Sequence, residues 1–234
     1  MDKEIAELAI GAFLHDIGKI SQRAKVSLLS HSEGLQPSIC PKKKEGYYTH
    51  LHVVYTSDFF ERMNAWLPEN LNKSRIANLA SYHHRPDTPE QIIIQQADWL
   101  SAGQDRPEAE EEDTPQYLRA KLKSIFSSIQ LDTNDKSSTP KWFSILPQTL
   151  DEKAFPKGAD DEKDVDVEQA YKELFKSAVE HLTKLSQAPL DLYLEQLRWV
   201  FGLYSWCVPS SLTQSPDVSL LDHSLTTAAF ATAL

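Results

Sequence analysis

Apolar positions recur at helical spacing over most of this chain. Ile5, Leu8, Ala9 and Ala12 share one face of a first helix. His15, Asp16 and Lys19 continue the same spacing, with Gly18 near the expected end. Residues 21–49 lack such a period and contain Pro37 and Pro41, which predicts a loop. A second helix fits from about His50 to Leu67, stopped by Pro68. Ser74 can cap a third that runs to His84, before Arg85-Pro86. Thr88-Pro-Glu-Gln91 has the form of a capping box with proline at the first helical position. The helix it opens carries Ile92, Ile93, Ile94, Ala97, Asp98 and Leu100. Residues 102–116 read as a polar linker, and the apolar runs 122–129 and 142–146 as a small β-hairpin. A second linker covers about 151–166, followed by helices over about 167–186 and 190–206. A last helix starts near Asp222 and is still in progress at Leu234, without a capping glycine or polar tail. The chain is therefore expected to be the front part of a longer protein.

The pattern predicts a mainly α fold in one domain. Its core would come from about 1–101 and 167–234, with about 102–166 inserted. Composition agrees: 41% of the 234 residues are hydrophobic and 25% charged, as in an ordinary globular chain. No apolar run approaches the roughly 18–20 residues needed to cross a bilayer. The acids and the His-Asp pair within MDKEIAELAIGAFLHD do not suit a signal peptide, so a cytoplasmic protein is expected, with no membrane partner. Cys40 and Cys207 stand alone and are read as core filler.

The net charge of −10 would argue against a polyanionic substrate if it were evenly spread. It is not. Asp105 to Asp113 holds six acids and one arginine, and Asp151 to Glu168 holds eight acids and three lysines. The remaining body has 20 acids and 20 bases. The acidity belongs to two linker segments, and nucleic acid is not excluded.

The candidate chemistry lies in residues delivered one or two at a time by separate helices. His15 and Asp16 end the first, His52 heads the second, His83 and His84 end the third, Asp98 lies in the fourth and His223 starts the last. Helical bundles build metal sites in this way. Each residue alone has an ordinary reading. His52 could answer surface charge, His83-His84 could be a basic helix end, Asp98 a surface acid, Lys19 a solvated lysine. His223 could simply follow Asp222 as N-cap. Together the ordinary readings fit less well, because the apolar context of Asp98 places it near a buried face.

Leu14-His-Asp-Ile-Gly-Lys19, the His52-to-Thr56 helix start, His83-His84 and Ala97-Asp98-Trp-Leu-Ser-Ala-Gly103 together resemble the HD phosphohydrolase superfamily. More narrowly, the chain resembles the HD domain at the N-terminus of the large subunit of type III CRISPR effector complexes, in the III-A branch. Ser124-Ile-Phe-Ser-Ser-Ile129, Trp206-Cys-Val-Pro-Ser-Ser211 and Pro216-Asp-Val-Ser-Leu-Leu-Asp-His-Ser-Leu-Thr-Thr-Ala-Ala229 carry that likeness. Trp99, where the family often has a basic residue, and Gly103-Gln-Asp-Arg are departures.

The resemblance implies a circularly permuted HD-type helical bundle. One metal would be held by His15, Asp16, Asp98 and His223. A second would share Asp16 and use His52 with His83 or His84. Mixed imidazole and carboxylate donors suit Mn²⁺, Ni²⁺ or Co²⁺, as one or two ions, better than Mg²⁺. Asp16 would be a catalytic residue as well as a ligand, Lys19 a candidate for stabilising developing phosphorane charge, and His84, if not a ligand, the candidate acid. The implied activity is metal-dependent hydrolysis of single-stranded DNA, as an exonuclease or an endonuclease. It would act with the other subunits and guide RNA of the complex. Two alternatives share these residues: an HD nucleotide phosphohydrolase, and a non-catalytic scaffold for assembly.

Overall fold

The computed structural model describes residues 2–63, 66–103, 114–129, 139–158, 165–185, 189–212 and 216–234. The fold is mainly helical, as expected. The first acidic segment, 105–113, lies outside the described residues, as does 159–164 of the second.

The helix expected across 5–19 is two helices. α1 (Lys3–Phe13) stops early, and α2 (Gly18–Arg23) starts afresh after a turn. The reason lies in a helix distant in sequence, α5 (His52–Arg62). A Cβ on Gly18 would stand 2.0 Å from the His52 carbonyl oxygen and 2.5 Å from the Thr56 nitrogen, so only glycine permits this approach. Thr56 Oγ1 donates to the His15 carbonyl (2.9 Å) and accepts from the Gly18 N–H (3.1 Å). One threonine thus satisfies two backbone groups that the broken helix leaves open.

The expected loop 21–49 contains two single-turn helices, α3 (Ser30–Glu33) and α4 (Gln36–Ile39). α6 (Lys73–Ser81) is capped by Asn72, not Ser74, through a 3.1 Å bond from the Arg75 N–H. It ends before His83 and His84, which sit in the turn beyond it. α7 (Pro89–Ala102) has the expected reciprocal box. Thr88 Oγ1 accepts from the Gln91 N–H (3.3 Å) and Gln91 Oε1 accepts from the Thr88 N–H (3.2 Å). After the short α8 (Pro115–Leu118) come α9 (Val167–Leu182), α10 (Leu190–Ser205) and α11 (Leu220–Ala233). Ser219 caps α11 by accepting from the Asp222 N–H (3.0 Å), so Asp222 lies inside the helix.

The expected hairpin is corrected in its partner. β1 (Lys141–Trp142) pairs antiparallel with β2 (Lys157–Gly158), which comes from within the second acidic segment. The run 122–129 contributes one bridge, Lys123 with Trp142, and then turns into a 3₁₀ helix over Ile125–Ser128. Ile125, Phe126 and Ile129 are exposed, so this run lacks the alternation that a longer strand would need.

The main core joins Ile10, Phe13 and Leu14 to Phe59, Phe60 and Trp66, and to Tyr193, Leu197 and Phe201 of α10. Phe13 and Phe201 meet edge-on at 4.7 Å. A second cluster, Ala12, Leu79, Ile94, Ala97 and Ala231, holds α1, α6, α7 and α11 together, with three alanines among its five side chains. Fully buried Arg23 donates to the Pro209 carbonyl (2.8 Å) and lies 4.8 Å over the Tyr117 ring, tying α2 to the segment before α11. Cys40 and Cys207 are buried, in keeping with their reading as core filler. Burial pushes the Cys207 thiol up to about 12, which makes it a poor nucleophile.

Candidate metal centre

The α1–α2 turn puts His15 and Asp16 in the middle of the bundle. α5 brings His52 by its first residue, the turn after α6 brings His83 and His84, α7 brings Asp98, and α11 brings His223. His15, Asp16, His52, His83 and His223 are at most 2% exposed and Asp98 is 7% exposed. The ordinary surface readings of these residues therefore do not hold.

Asp16 is the hub. Its Oδ1 lies 3.0 Å from His52 Nε2 and 3.8 Å from His83 Nε2. Its Oδ2 lies 3.3 Å from His15 Nε2 and 3.5 Å from His223 Nε2. Asp98 Oδ1 stands 3.0 Å from His223 Nε2 and 3.7 Å from His15 Nε2. His84 Nε2 faces His52 Nε2 at 3.1 Å. The donors fall into two groups that share Asp16. One is Asp16, His52, His83 and His84, and the other is His15, Asp16 and His223, with Asp98 beside it.

The outer bonds fix which nitrogen points inward. His15 Nδ1 donates to the Ala12 carbonyl and His83 Nδ1 to the Ala80 carbonyl, each at 2.7 Å. In the neutral imidazole this leaves the lone pair on Nε2, and both Nε2 atoms are buried and face Asp16. Ser101 Oγ, one turn after Asp98 on α7, sits 2.9 Å from His223 Nδ1 and orients that ring in the same way. Imidazoles oriented through Nδ1 with Nε2 left open are the arrangement of metal-ligating histidines.

The electrostatics match. Burial disfavours charge on Asp16, but Lys19, His15 and His52 hold its carboxyl well below the usual carboxylate range. Burial likewise opposes ionisation of Asp98, and hydrogen bonds from His15 and His223 hold it low. Burial, with the charge of His15 next, pushes His83 down to about 3. Burial and then His83, His50 and His52 keep His84 well below the ordinary imidazole value. Burial also disfavours the His15 cation, but Asp16 and Asp98 outweigh it and raise its pKa to about 10. Two carboxylates are thus ionised beside the neutral imidazoles of His83 and His84, and a divalent cation would take the place of the His15 proton. Two ligands bound at about 2.1 Å to one ion stand about 3 Å apart, which the His52–His84 separation fits.

Lys19 is buried, not solvated. Its ammonium donates to Asp16 Oδ2 (2.7 Å) and to the Ser210 carbonyl (2.6 Å). Sequence reasoning missed His50, whose ring lies 4.0 Å from that of His84, and whose backbone has a left-handed φ of 58°. It also missed Ser101 and the Ser210 carbonyl. Only Ser101 had a signal, its three-residue spacing from Asp98. His181 lies away from the centre, bonded to the Tyr204 hydroxyl at 2.7 Å. Trp99 is half-exposed.

Residues 1–103 match the HD domain family. The single-strand-specific deoxyribonuclease Cas10/Csm1 of the subtype III-A CRISPR system of Methanocaldococcus jannaschii is 29% identical over 99% of this chain and 28% of its own length. That of Enterococcus italicus is 27% identical over 100% of this chain and 29% of its own. This chain thus spans under a third of the length of these relatives. Among solved structures, Csm1 of T. onnurineus superposes with a TM-score of 0.53 at 21% identity, over 98% of this chain and 28% of that one. Csm1 in a Csm1–Csm4 subcomplex of the type III-A interference complex gives 0.53 at 22% identity, over 98% and 27%. The likeness read from the sequence motifs is borne out, and the fold is shared.

Proposed function

We propose, from an HD domain match over residues 1–103 and a likeness to Cas10/Csm1 over the whole chain, that this chain is a metal-dependent nuclease of the HD class. Its substrate would be single-stranded DNA, within a type III CRISPR effector that also contains guide RNA and further subunits. The observation that carries this reading is the buried convergence of His15 Nε2, His52 Nε2 and His83 Nε2 on the Asp16 carboxylate, at 3.3, 3.0 and 3.8 Å. A divalent cation between these donors would satisfy them in place of a proton. The 1–101 and 167–234 parts would form one domain, because its centre draws on α7 and α11 alike. The position of His223 supports the permuted arrangement, in which the last helix completes the site.

One ion would rest on His15, Asp16, Asp98 and His223. The other would rest on Asp16, His52, His83 and His84. A bound cation supplies Lewis acidity at the phosphoryl group and a nucleophile at neutral pH. The residues of the chain do the rest. Asp16 bridges the two donor groups, and Lys19 compensates its charge. Ser101 fixes the His223 ring, and the Ala12 and Ala80 carbonyls fix those of His15 and His83. His84 serves better as a ligand than as an acid, because its surroundings keep it unprotonated. Among the described residues no helix is long and apolar enough to cross a membrane.

The deciding test is a metal screen on labelled single-stranded DNA. Cleavage is expected with Mn²⁺, Ni²⁺ or Co²⁺ and is expected to vanish with chelator. Full activity in excess chelator would overturn the metal reading. Selective hydrolysis of nucleotides with intact strands would transfer the site to the small-molecule alternative.

His223→Ala tests the closing ligand. It should lower metal occupancy and cleavage while leaving the helical circular dichroism unchanged, since the loss of one ligand among several weakens binding without unfolding a bundle. His181→Ala, remote from the centre, is the matched control. Wild-type metal content in both variants would remove His223 from the site.

A further inference from the structure

The segment 41–49 is unused by the metal centre and has its own construction. It is a short hairpin: Lys42 bridges Tyr48, the Lys43 N–H donates to the Tyr47 carbonyl (2.9 Å), and the Gly46 N–H donates to the Lys43 carbonyl (3.0 Å). Gly46 takes a φ of 96° at the turn, a backbone that favours glycine. At its base the Thr49 N–H donates to the Pro41 carbonyl (2.9 Å). Each tyrosine carries a lysine. Lys42 Nζ lies 5.5 Å from the Tyr48 ring and Lys43 Nζ 5.8 Å from the Tyr47 ring.

The two tyrosines differ in burial. Tyr48 packs on the cluster of Ile39, Cys40, Val53 and Val54 and anchors the hairpin. Tyr47 is 48% exposed, so a ring and a cation stand together at the surface without a core role. Lys42-Lys43-Lys44 is the only run of consecutive lysines or arginines in a chain of net charge −10. The chain leaving the hairpin passes through His50, whose ring lies tilted against that of His84 at 4.0 Å, into His52. Tyr47 is three residues from His50, at most about 10 Å of backbone.

We propose that this hairpin is the strand-binding platform of the nuclease site: a base of single-stranded nucleic acid stacks on Tyr47, while Lys43 and Lys42 hold the adjoining phosphates. The proposal rests on the reading of the site as a single-strand nuclease. Stacking on an aromatic face tolerates any base, and the paired cation tracks the backbone, which are the two requirements of sequence-independent single-strand binding. Tyr47 and Lys43 are binding residues in this scheme and take no part in the chemistry.

Two substrates separate the possibilities. Bis(p-nitrophenyl) phosphate with Mn²⁺ is too small to reach the hairpin and reports the centre alone. A labelled oligo(dT) of roughly 12 nucleotides, followed by anisotropy in chelator, reports strand binding. Tyr47→Ala should raise the oligo(dT) Kd about tenfold, with Tyr47→Phe close to wild type. Lys43→Ala should weaken binding and lower the salt slope by about 0.7. All three variants should hydrolyse bis(p-nitrophenyl) phosphate at the wild-type rate. Wild-type oligo(dT) affinity in Tyr47→Ala and Lys43→Ala overturns the platform and leaves the nuclease reading intact. A wild-type protein that hydrolyses the small diester but binds no strand overturns the single-strand reading, and the platform with it.

Discussion

Asp16→Asn is expected to empty the centre and stop catalysis. The carboxylate faces four imidazoles and one ammonium, and it alone belongs to both donor groups. Replacing one oxygen by an amide removes the charge that binds a cation and puts a donor where a lone pair is needed. Losing outer partners of a metal ligand already costs about 10–100-fold, so losing the shared ligand should cost on the order of 10³-fold or more in cleavage. Metal analysis should find the purified variant empty. Added Mn²⁺ should raise the melting temperature of the wild type, because a ligand that binds only the folded state stabilises it, and should leave the variant unmoved. A variant that retains metal and cleaves at wild-type rate would remove Asp16 from the centre.

Gly18→Ala should be the most destabilising of the conservative changes. The new methyl group would meet the His52 carbonyl oxygen at 2.0 Å and the Thr56 nitrogen at 2.5 Å, both backbone atoms of α5. Backbone cannot swing aside as a side chain can, so α2 and α5 must separate. Overpacking costs typically about 1–3 kcal/mol and more where backbone must shift. A loss of about 3 kcal/mol would lower the melting temperature by roughly 10 °C in a domain of this size. Since His15, Asp16 and His52 flank that contact, metal affinity should fall too. Gly202→Ala is the control. It sits within α10, its nearest neighbour is a Leu221 methyl at 3.6 Å, and alanine is the better helix former. A Gly18→Ala protein that melts within about 2 °C of wild type would show that the two helices have room to spare.

The capping box at Thr88 and the long helices α9, α10 and α11 were legible because their signals are local. Capping residues act within one turn, and the apolar period is written along each segment. The hairpin was misread because strand pairing is a contact between distant segments, and the partner of Trp142 lay in a stretch that its acids marked as linker. The continuous helix over 5–19 was misread for a similar reason. Its period is unbroken, and what breaks it is the close passage of α5 at Gly18.

By itself the sequence determined the helical class and pointed to the histidines and aspartates that meet at the candidate centre. It also determined, through motif likeness, the family to which the set is similar. Residue identity and helical period are properties of the chain alone. Tertiary structure decided the rest. It brought His223, 207 positions after Asp16, to 3.5 Å from it. It turned Lys19 inward onto Asp16 and the Ser210 carbonyl, and it put His50 against His84. Nothing in the spacing of those residues encodes these distances. They follow from small residues such as Gly18 and Ala97 letting helices approach. They also follow from one threonine and one buried arginine that tie together segments far apart in the chain.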